Sequence, residues 1–370
     1  MEAKKRNQSC KETIIPYLPY GVVTGILSKL PVKSLLRLRC VCKSWLNLVS
    51  APQFITTHLH QSITNLSIEK LHIIIARCDF HDHRLYKFNL AAEKIDHILE
   101  IKSHPKLKFI GSSNGLVCFT YAGGSLFLYN LSTRVYKEIK PYGDFRYFDD
   151  RYKHGFGYDH STDDYKVVKE DKDGFYVYSL RSDSWKKVVQ HFPYHGLAVA
   201  SGTLLNGALH WLLLDTIWME PLAIVAFDLI DEKFREIPLP DFSTSAFKSE
   251  LSRVKLLGGC LCILPLPHTG HEFLIMKKYG VKQSWTKVEI KAPYHRFMEP
   301  LALFYNDEAL LLIDFVELVL YNTREGTCRN FVLQGMPDTN TKTFVVKAAY
   351  MESLVSPIMG GESKAISRIK

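Results

Sequence analysis

The stretch YNLSTRVYKEIKP, residues 129–141, joins two β-like runs through a short polar turn. The same phrase, an aromatic residue followed by Asn, Asp or Ser, ends a β-like run at five places, and a second run follows each time. The copies are Phe88-Asn89-Leu90, Tyr129-Asn130-Leu131, Tyr178-Ser179-Leu180, Phe227-Asp228-Leu229 and Tyr321-Asn322-Thr323, with a weaker sixth at Lys278-Tyr279-Gly280. Their spacing of 41 to 51 residues is typical of a four-stranded β-propeller blade.

A second phrase runs in step with the first. Tight-turn pairs lie at Asn114-Gly115, Asn206-Gly207, Gly258-Gly259 and Asn306-Asp307. Asn-Gly suits a type I′ hairpin because both turn residues need a positive φ. Midway between the first two pairs, YDHSTDDYKVV (158–168) predicts a longer polar turn. Two phrases with one period favour a β-propeller over an irregular pair of β-sandwiches.

The first repeat unit is one strand short. It has candidate strands at 71–78, 84–89 and 94–101, whereas each of the other five units has four. Near the C-terminus, residues 343–350 supply a spare strand. We expect it to complete the first blade and close a ring of six, because closure removes two sheet edges.

Residues 14–57 have a helical pattern instead. Val22, Ile26 and Leu30 recur every fourth residue, with Val23 and Leu27 beside them, and Pro31 can open a second helix. Along that second helix two apolar faces are expected: Leu35, Leu38, Cys42 and Trp45 on one, and Val32, Leu36 and Cys40 on the other. A module of about forty residues in three short helices cannot bury two faces per helix. We therefore expect another chain to cover one of them.

The net charge of +9 is concentrated at the N-terminus. Residues 1–50 carry nine Lys/Arg against two Glu, whereas the other 320 carry 38 Lys/Arg against 36 Asp/Glu. An RNA- or DNA-binding protein is an alternative that the near-neutral large module disfavours, so we expect no nucleic-acid partner. The N-terminus lacks the apolar core of a signal peptide, and four acidic residues interrupt the most apolar window, 301–320. We expect no membrane association, reduced cysteines, and a cytoplasmic and/or nuclear location.

The residues of the small module are familiar. YLPYGVVTGILSKLPVKSLLRLRCVCKSWLNLVSAPQF (17–54) resembles the F-box motif, although Tyr20-Gly21 stands where such motifs usually carry an acidic residue. The later phrases GSSNGLVCF, GFGYDHSTDDYKVV, LLNGALHWL and FDLIDEKFREIPLP resemble the F-box-associated domain of plant F-box/kelch-type proteins. Within that family the chain also resembles the S-locus F-box branch, although no residue fixes the branch. The predicted domains are a disordered N-terminus at 1–13, the F-box at 14–57, a linker at 58–70, a kelch-like F-box-associated β-propeller at 71–352 and a flexible tail at 353–370.

The resemblance implies a substrate-recognition subunit of an SCF (Skp–cullin–F-box) ubiquitin ligase. The F-box would bind a Skp-type adaptor, and through it a cullin, while the propeller binds the protein to be ubiquitinated. By matching positions, the adaptor-binding residues are Leu18, Pro19, Ile26, Leu30, Pro31, Val32, Leu35 and Trp45. Other subunits would perform the chemistry, so we expect neither a catalytic residue nor a cofactor. The alternatives are an F-box protein acting outside a ligase and a propeller enzyme.

Metal and nucleophile patterns are weak. Cys40 and Cys42, if helical, point roughly 200° apart. Cys260 and Cys262 share a strand face, but no second ligand pair lies nearby in sequence. His81-Asp82-His83 and HTGHE (268–272) are expected in polar turns. The chain has no Gly-x-Ser-x-Gly elbow and no P-loop.

The longest polar link between repeat units is KPYGDFRYFDDRYKHG, residues 140–155, which interleaves aromatic residues with both charges. Its residue types are those of binding hot spots. The predicted substrate-binding residues are Tyr142, Phe145, Arg146, Tyr147, Phe148 and Arg151, and residues 239–250 are the second candidate. Each link can equally be a plain connection between blades.

Overall fold

The structure is a computed structural model and divides into two compact units, Met1–Asn65 and Leu66–Lys370. The residues that it describes are 19–65, 70–78, 83–101, 108–120, 125–142, 152–190, 192, 196–198, 200–218, 220–241, 253–264, 272–289, 298–303, 308–313, 317–322, 324–331 and 344–358. None of the described helices is long and apolar enough to cross a membrane.

The described part of the first unit contains four helices, α1 (Tyr20–Leu27), α2 (Val32–Leu38), α3 (Lys43–Ser50) and α4 (Pro52–Thr64). Proline marks three of the helix starts: Pro19 and Pro31 directly precede α1 and α2, and Pro52 is the first residue of α4. Proline suits these places because its missing N–H has no partner there. The core is formed by Leu27, Val32, Leu35, Val49 and Phe54, each less than 5% exposed.

Two predictions for this unit are wrong. The predicted second helix does not run through to Trp45, because α2 ends at Leu38 and the extended residue Cys42 precedes α3. A straight helix would hold Leu35 and Val49 about 21 Å apart; the break instead lets α2 pack against α3. The linker predicted at residues 58–70 is wrong for residues 58–64, because α4 continues to Thr64 and buries His58.

The described residues of the second unit form six antiparallel sheets. The strands, in chain order, are β1 (Leu71–Cys78), β2 (His83–Asn89), β3 (Lys94–Ile101), β4 (Lys108–Ser113), β5 (Leu116–Thr120), β6 (Leu126–Asn130), β7 (Val135–Ile139), β8 (His154–Asp159), β9 (Asp164–Asp171), β10 (Gly174–Ser179), β11 (Ser184–Lys187), β12 (Leu197–Ala198), β13 (Thr203–Leu205), β14 (Ala208–Leu214), β15 (Pro221–Asp228), β16 (Phe234–Ile237), β17 (Arg253–Leu257), β18 (Cys260–Leu264), β19 (Glu272–Met276), β20 (Trp285–Glu289), β21 (Met298–Leu303), β22 (Glu308–Ile313), β23 (Glu317–Asn322), β24 (Cys328–Phe331) and β25 (Phe344–Met351).

The sheets are successive blades of a closed ring. Strand order is β25-β1-β2-β3 in blade 1, β4 to β7 in blade 2, β8 to β11 in blade 3, β17 to β20 in blade 5 and β21 to β24 in blade 6. In blade 4 the short strands β12 and β13 both pair with β14, which is followed by β15 and β16. The first strands contact one another in sequence around the ring, from β25 through β4, β8, β13, β17 and β21 back to β25. This six-bladed propeller confirms the predicted fold, and the β-sandwich alternative is wrong.

Closure comes from the C-terminal strand, as predicted. β25 pairs antiparallel with β1, from Leu71 opposite Met351 to Arg77 opposite Phe344. The chain then continues past the end of the predicted propeller domain, and Ser353 and Leu354 are almost fully buried. The prediction of a flexible tail is therefore wrong for residues 353–358, because closing the ring brings them against blade 2.

The repeated phrase has a local cause. In five blades it ends the third strand, and its Asn, Asp or Ser side-chain oxygen accepts backbone N–H bonds from the following turn. Asn130 Oδ1, for example, accepts from Ser132 at 2.8 Å and Thr133 at 3.0 Å. The fourth residue after that Asn, Asp or Ser has a positive φ, which a tight turn to the outer strand requires. These positions are Glu93, Arg134, Asp183, Glu232 and Gly326.

The predicted hairpin turns behave as expected where they are described. Both residues have a positive φ at Asn114-Gly115, Asn206-Gly207 and Gly258-Gly259, which join the first two strands of their blades. The longer polar turn predicted in 158–168 joins β8 to β9 and places Asp163 at φ 52°. Asn306-Asp307 lies outside the described residues.

Candidate functional site

The helical unit exposes large apolar side chains. On α1, Tyr20, Val22 and Ile26 are 69%, 44% and 53% exposed, whereas Leu27 points into the core. Val41, Leu46 and Ile63 are also more than two-fifths exposed. Six exposed large apolar side chains on so small a unit are more than its own core accounts for, which is typical of a protein-interaction surface.

The predicted adaptor-binding residues divide into three groups. Pro19, Ile26 and Pro31 are exposed, and Leu30 and Trp45 are partly exposed. Val32 and Leu35 are 2% and 0% exposed and belong to the unit's own core, so they can support a surface but do not form one. Leu18 lies outside the described residues.

The turn between α1 and α2 is held by a residue that sequence reasoning missed. The ring Nε2 of His58, on α4, donates to the carbonyl oxygen of Leu30 at 3.0 Å. His58 is 3% exposed, and its ring stacks on Phe54, one helical turn earlier, at a centroid distance of 6.4 Å. The i, i+4 spacing of Phe54 and His58 could have indicated this buried face, had the helix been extended past residue 57.

The described helical unit carries positive charge alone. Residues 19–65 contain Lys29, Lys33, Arg37, Arg39 and Lys43, and no Asp or Glu. Except for the half-buried Arg39, these side chains are exposed. A surface of one sign speeds encounter with a partner of opposite sign and fixes its orientation. The unit is therefore suited to an acidic partner.

The cysteine pairs are not arranged as metal sites. Cys40 lies in the turn after α2 and Cys42 directly precedes α3, so they do not share a helix. Cys262 is fully buried, and burial raises the pKa of its thiol, which stays protonated as an apolar side chain. Among the described residues no group of three His, Cys, Asp or Glu could hold a metal ion. Residues 81, 82 and 268–271 lie outside the description.

One face of the propeller carries the longer links between strands. At this face, here called the loop face, the first and third strands of each blade begin and the second and fourth end. Tyr142 lies there, 48% exposed, with its ring centroid 5.1 Å from that of Tyr176 in blade 3. The other predicted substrate-binding residues, Phe145, Arg146, Tyr147, Phe148 and Arg151, lie outside the described residues, as do residues 242–250 of the second candidate link.

A second group on the loop face was missed by sequence reasoning. Ile217 and Trp218 stand at the tip of the β14–β15 hairpin and are 76% and 75% exposed. Asp215 Oδ1 accepts the backbone N–H of both residues at 2.8 Å, and the Asp215 N–H donates to the carbonyl oxygen of Glu220 at 2.8 Å. An Asp shortly before an Ile-Trp pair, between two apolar runs, is the signal that could have indicated an ordered turn.

Buried charges between blades 3 and 4 serve structure. Lys166 Nζ lies 3.0 Å from Asp159 Oδ2 and 3.6 Å from Glu232 Oε1, and also donates to the carbonyl oxygen of Leu229. Desolvation would raise the pKa of Asp159, but hydrogen bonds from Thr162, Ser161 and Lys166 outweigh it and hold that pKa well below its ordinary value. The cluster ties the blades together on the face opposite the loop face.

The first strand of blade 3 begins with a buried polar pair. His154 Nε2 donates to Ser201 Oγ at 2.9 Å, and the Ser201 hydroxyl donates to the carbonyl oxygen of Phe109 at 3.1 Å. The carbonyl oxygen of His154 in turn accepts the indole N–H of Trp211 at 3.1 Å. His154 is 4% exposed. These contacts connect blades 2, 3 and 4, which is a packing role.

A small, basic helical unit with exposed apolar side chains is followed by a six-bladed propeller that exposes apolar side chains among the described residues of its loop face. This arrangement is typical of a protein that binds other proteins through two separate units. Residues 15–57 match the F-box domain, and residues 72–356 match the F-box associated beta propeller domain. The chain therefore belongs to the F-box-associated β-propeller family of F-box proteins, which confirms the resemblance found in the sequence.

Relatives from Arabidopsis thaliana match along nearly the whole chain. The F-box/kelch-repeat protein At3g23880 is 28% identical and the match covers 95% of this chain and 99% of that protein. The F-box protein At3g07870 is 28% identical, with 87% and 88% covered, and the F-box protein CPR1 is 27% identical, with 90% and 88% covered. Both units thus occur together in these relatives.

Proposed function

We propose that the chain is the substrate-recognition subunit of an SCF-type ubiquitin ligase. In this role the helical unit binds a Skp-type adaptor, which joins it to a cullin, and the propeller binds the target protein. The observation that supports this most is the exposed apolar surface of α1 and the Leu30–Pro31 turn, on a unit without acidic side chains and in a chain of the F-box family.

Adaptor contact is proposed through the exposed members of the predicted set. Pro19, Ile26 and Pro31 offer exposed apolar surface, and Leu30 and Trp45 add partly exposed side chains. Val32 and Leu35 act from beneath, because their burial fixes the start and middle of α2. Leu18, next to Pro19 in sequence, completes the proposed contact. The five cations of residues 19–65 favour an adaptor with an acidic surface.

The chain's contribution to ubiquitin transfer is positioning rather than chemistry. Holding a target beside the transferring subunits converts an encounter between free molecules into a reaction within one complex, which can contribute several kcal/mol. In this proposed role the protein is not itself an enzyme. It works in the cytoplasm and/or nucleus, where its thiols remain reduced.

The test uses the full chain with a recombinant Skp-type adaptor and cullin. The double variant Leu30→Asp, Pro31→Ala is expected to lose adaptor co-purification, because a carboxylate enters the apolar contact. The matched control is Thr56→Asp, an exposed α4 position, which should bind as the parent does. Undiminished adaptor binding by the double variant would refute the proposed contact. Adaptor binding by the parent without cullin recruitment would favour the alternative, an F-box protein acting outside a ligase.

A further inference from the structure

Exposed apolar side chains are unevenly distributed on the propeller. Seven large ones are exposed among its described residues. Five of them, Tyr142, Val189, Ile217, Trp218 and Leu222, lie at the loop face, and two, Ile230 and Leu256, lie near the opposite face. The loop face of blade 4 is thus the richest described apolar surface of the propeller.

Trp218 differs from the other tryptophans of the propeller. Trp185, Trp211 and Trp285 each donate their indole N–H to a backbone carbonyl oxygen. The side chain of Trp218 instead stands three-quarters exposed at the hairpin tip. Tryptophan is one of the three residue types that are enriched at binding hot spots.

The tip is ordered before any partner arrives. The two N–H bonds that Asp215 Oδ1 accepts fix the backbone of Ile217 and Trp218, and the Asp215–Glu220 backbone bond closes the turn. Leu222, at the start of β15, extends the apolar surface along the hairpin. Its side chain lies next to Gly196, since a Cβ added there would be 3.4 Å from Leu222 Cδ2. A preordered surface incurs little ordering cost when it binds.

The hairpin that carries this tip has negative charge at its loop-face end. Residues 208–222 contain Asp215 and Glu220 and neither Lys nor Arg. The N–H bonds from Trp218 and Ile217 lower the pKa of Asp215, so that its carboxylate stays ionised. The described helical unit, in contrast, carries cations alone. The two units therefore suit partners of opposite charge, which keeps their binding sites distinct.

We propose that Ile217, Trp218 and Leu222, flanked by Asp215 and Glu220, form a docking surface for a protein segment in which a large apolar side chain is bordered by Lys or Arg. The apolar side chain packs on Trp218, and the basic residues face the two carboxylates. This inference rests on the proposed function, because it assigns the target contact of the propeller to blade 4.

The test uses the full chain labelled with 5-fluorotryptophan. All five tryptophans carry the label, and the resonance that Trp218→Phe removes is the one assigned to Trp218. The probes are short synthetic peptides with a central Leu or Phe between Lys/Arg residues, and two matched sets, one with Asp/Glu flanks and one with Ser at the centre. The first set is expected to shift the Trp218 resonance, more strongly at low salt, and the matched sets are not.

Three variants sharpen the result, with peptide affinity measured by titration calorimetry because Trp218→Ala removes the reporting resonance. Trp218→Ala should weaken binding of the basic-apolar peptides by at least about ten-fold, the size of a hot-spot truncation. Asp215→Asn keeps the oxygen that orders the turn but removes its charge, and should weaken binding by about two- to five-fold, as expected for one exposed charge pair. Ile230→Ala, on the opposite face, should leave binding unchanged.

Three outcomes would overturn the proposal: equal binding by Trp218→Ala, preference for the acidic peptides, or self-association of the parent that Trp218→Ala abolishes, which would make a second copy the occupant. Adaptor co-purification is measured on the same preparations. If the parent binds adaptor but no peptide moves the Trp218 resonance, the docking surface is wrong and the proposed function stands. If the parent binds no adaptor, the proposed function itself fails.

Discussion

The side-chain amide nitrogen of Asn130 donates a hydrogen bond to the carbonyl oxygen of Ser353 at 3.0 Å, across 223 positions of sequence. It also donates to the carbonyl oxygen of Val355 at 2.7 Å. The oxygen of the same side chain accepts the turn N–H groups of Ser132 and Thr133. One buried residue of the repeated phrase thus orders a local turn and anchors the end of the chain to blade 2.

We expect Asn130→Ala to lower the free energy of unfolding of the propeller by about 2–4 kcal/mol, because one buried and one partly buried carbonyl oxygen and two turn N–H groups lose their partner. The matched control is Asn322→Ala, the equivalent position in blade 6. Its oxygen accepts only turn N–H groups, from Arg324 and Glu325, among the contacts described, so the loss should be about 1 kcal/mol. Urea unfolding followed by tryptophan fluorescence measures both, and equal losses would contradict the anchoring role.

Gly115 packs against the same C-terminal segment, so a substitution at Gly115 tests that contact independently. Its φ is +79°, and an added Cβ would lie 2.3 Å from Ser353 Oγ and 2.8 Å from the carbonyl oxygen of Met351. Gly259 has a φ of +75° but nothing within 4 Å of an added Cβ. Both Ala substitutions incur the backbone cost of about 1 kcal/mol, and Gly115→Ala should lose about 1–3 kcal/mol more through overpacking. Thermal unfolding distinguishes the two variants. Similar melting temperatures would mean that the C-terminal segment shifts to accommodate the added Cβ without loss of stability.

His210 should make propeller stability depend on pH. It is 1% exposed, its Nε2 lies 2.7 Å from the hydroxyl of Tyr279, and burial lowers its pKa to about 4. Because the folded pKa lies below the unfolded value, the unfolded chain binds the proton more readily between these values. The stability that neutral His210 contributes is therefore complete above about pH 6.5 and is lost as pH falls towards about 4, a change of about 3 kcal/mol in the free energy of unfolding.

The measurement is the free energy of unfolding at pH 7 and at about pH 4.5. In His210→Gln the decrease between the two should be smaller than in the parent by about 2 kcal/mol, whereas His160→Gln, at an exposed turn, should keep the parent's decrease. If all three proteins lose the same stability, the acid sensitivity has another source.

His58 should control the shape of the proposed adaptor contact. His58→Leu removes the donor to the Leu30 carbonyl oxygen and should destabilise the helical unit by about 1–3 kcal/mol. Adaptor affinity should fall several-fold, because the Leu30–Pro31 turn is no longer held before binding. His60→Leu, exposed on the same helix, is the control. Equal adaptor affinity for the two variants, measured by titration calorimetry, would show that the turn needs no support from α4.

The propeller could be predicted from sequence because its repeat is local. The oxygen at positions such as Asn130 and Asn322 orders a turn within three residues, and the paired positive-φ turns lie within one hairpin. The candidate site was less predictable. Ile26 and Leu35 both lie on apolar helical faces, and the sequence does not say which of them the unit's own core will cover.

The sequence by itself determined the number of blades, the turns between their strands and the apolar excess of a small basic module, since each depends on residues close together in the chain. Tertiary structure alone decided that Val32 is buried while Ile26 is exposed, that Asn130 anchors the residues after β25, and that Trp218 stands outside the core. These outcomes depend on ring closure and helix packing, which bring together residues that no local spacing connects.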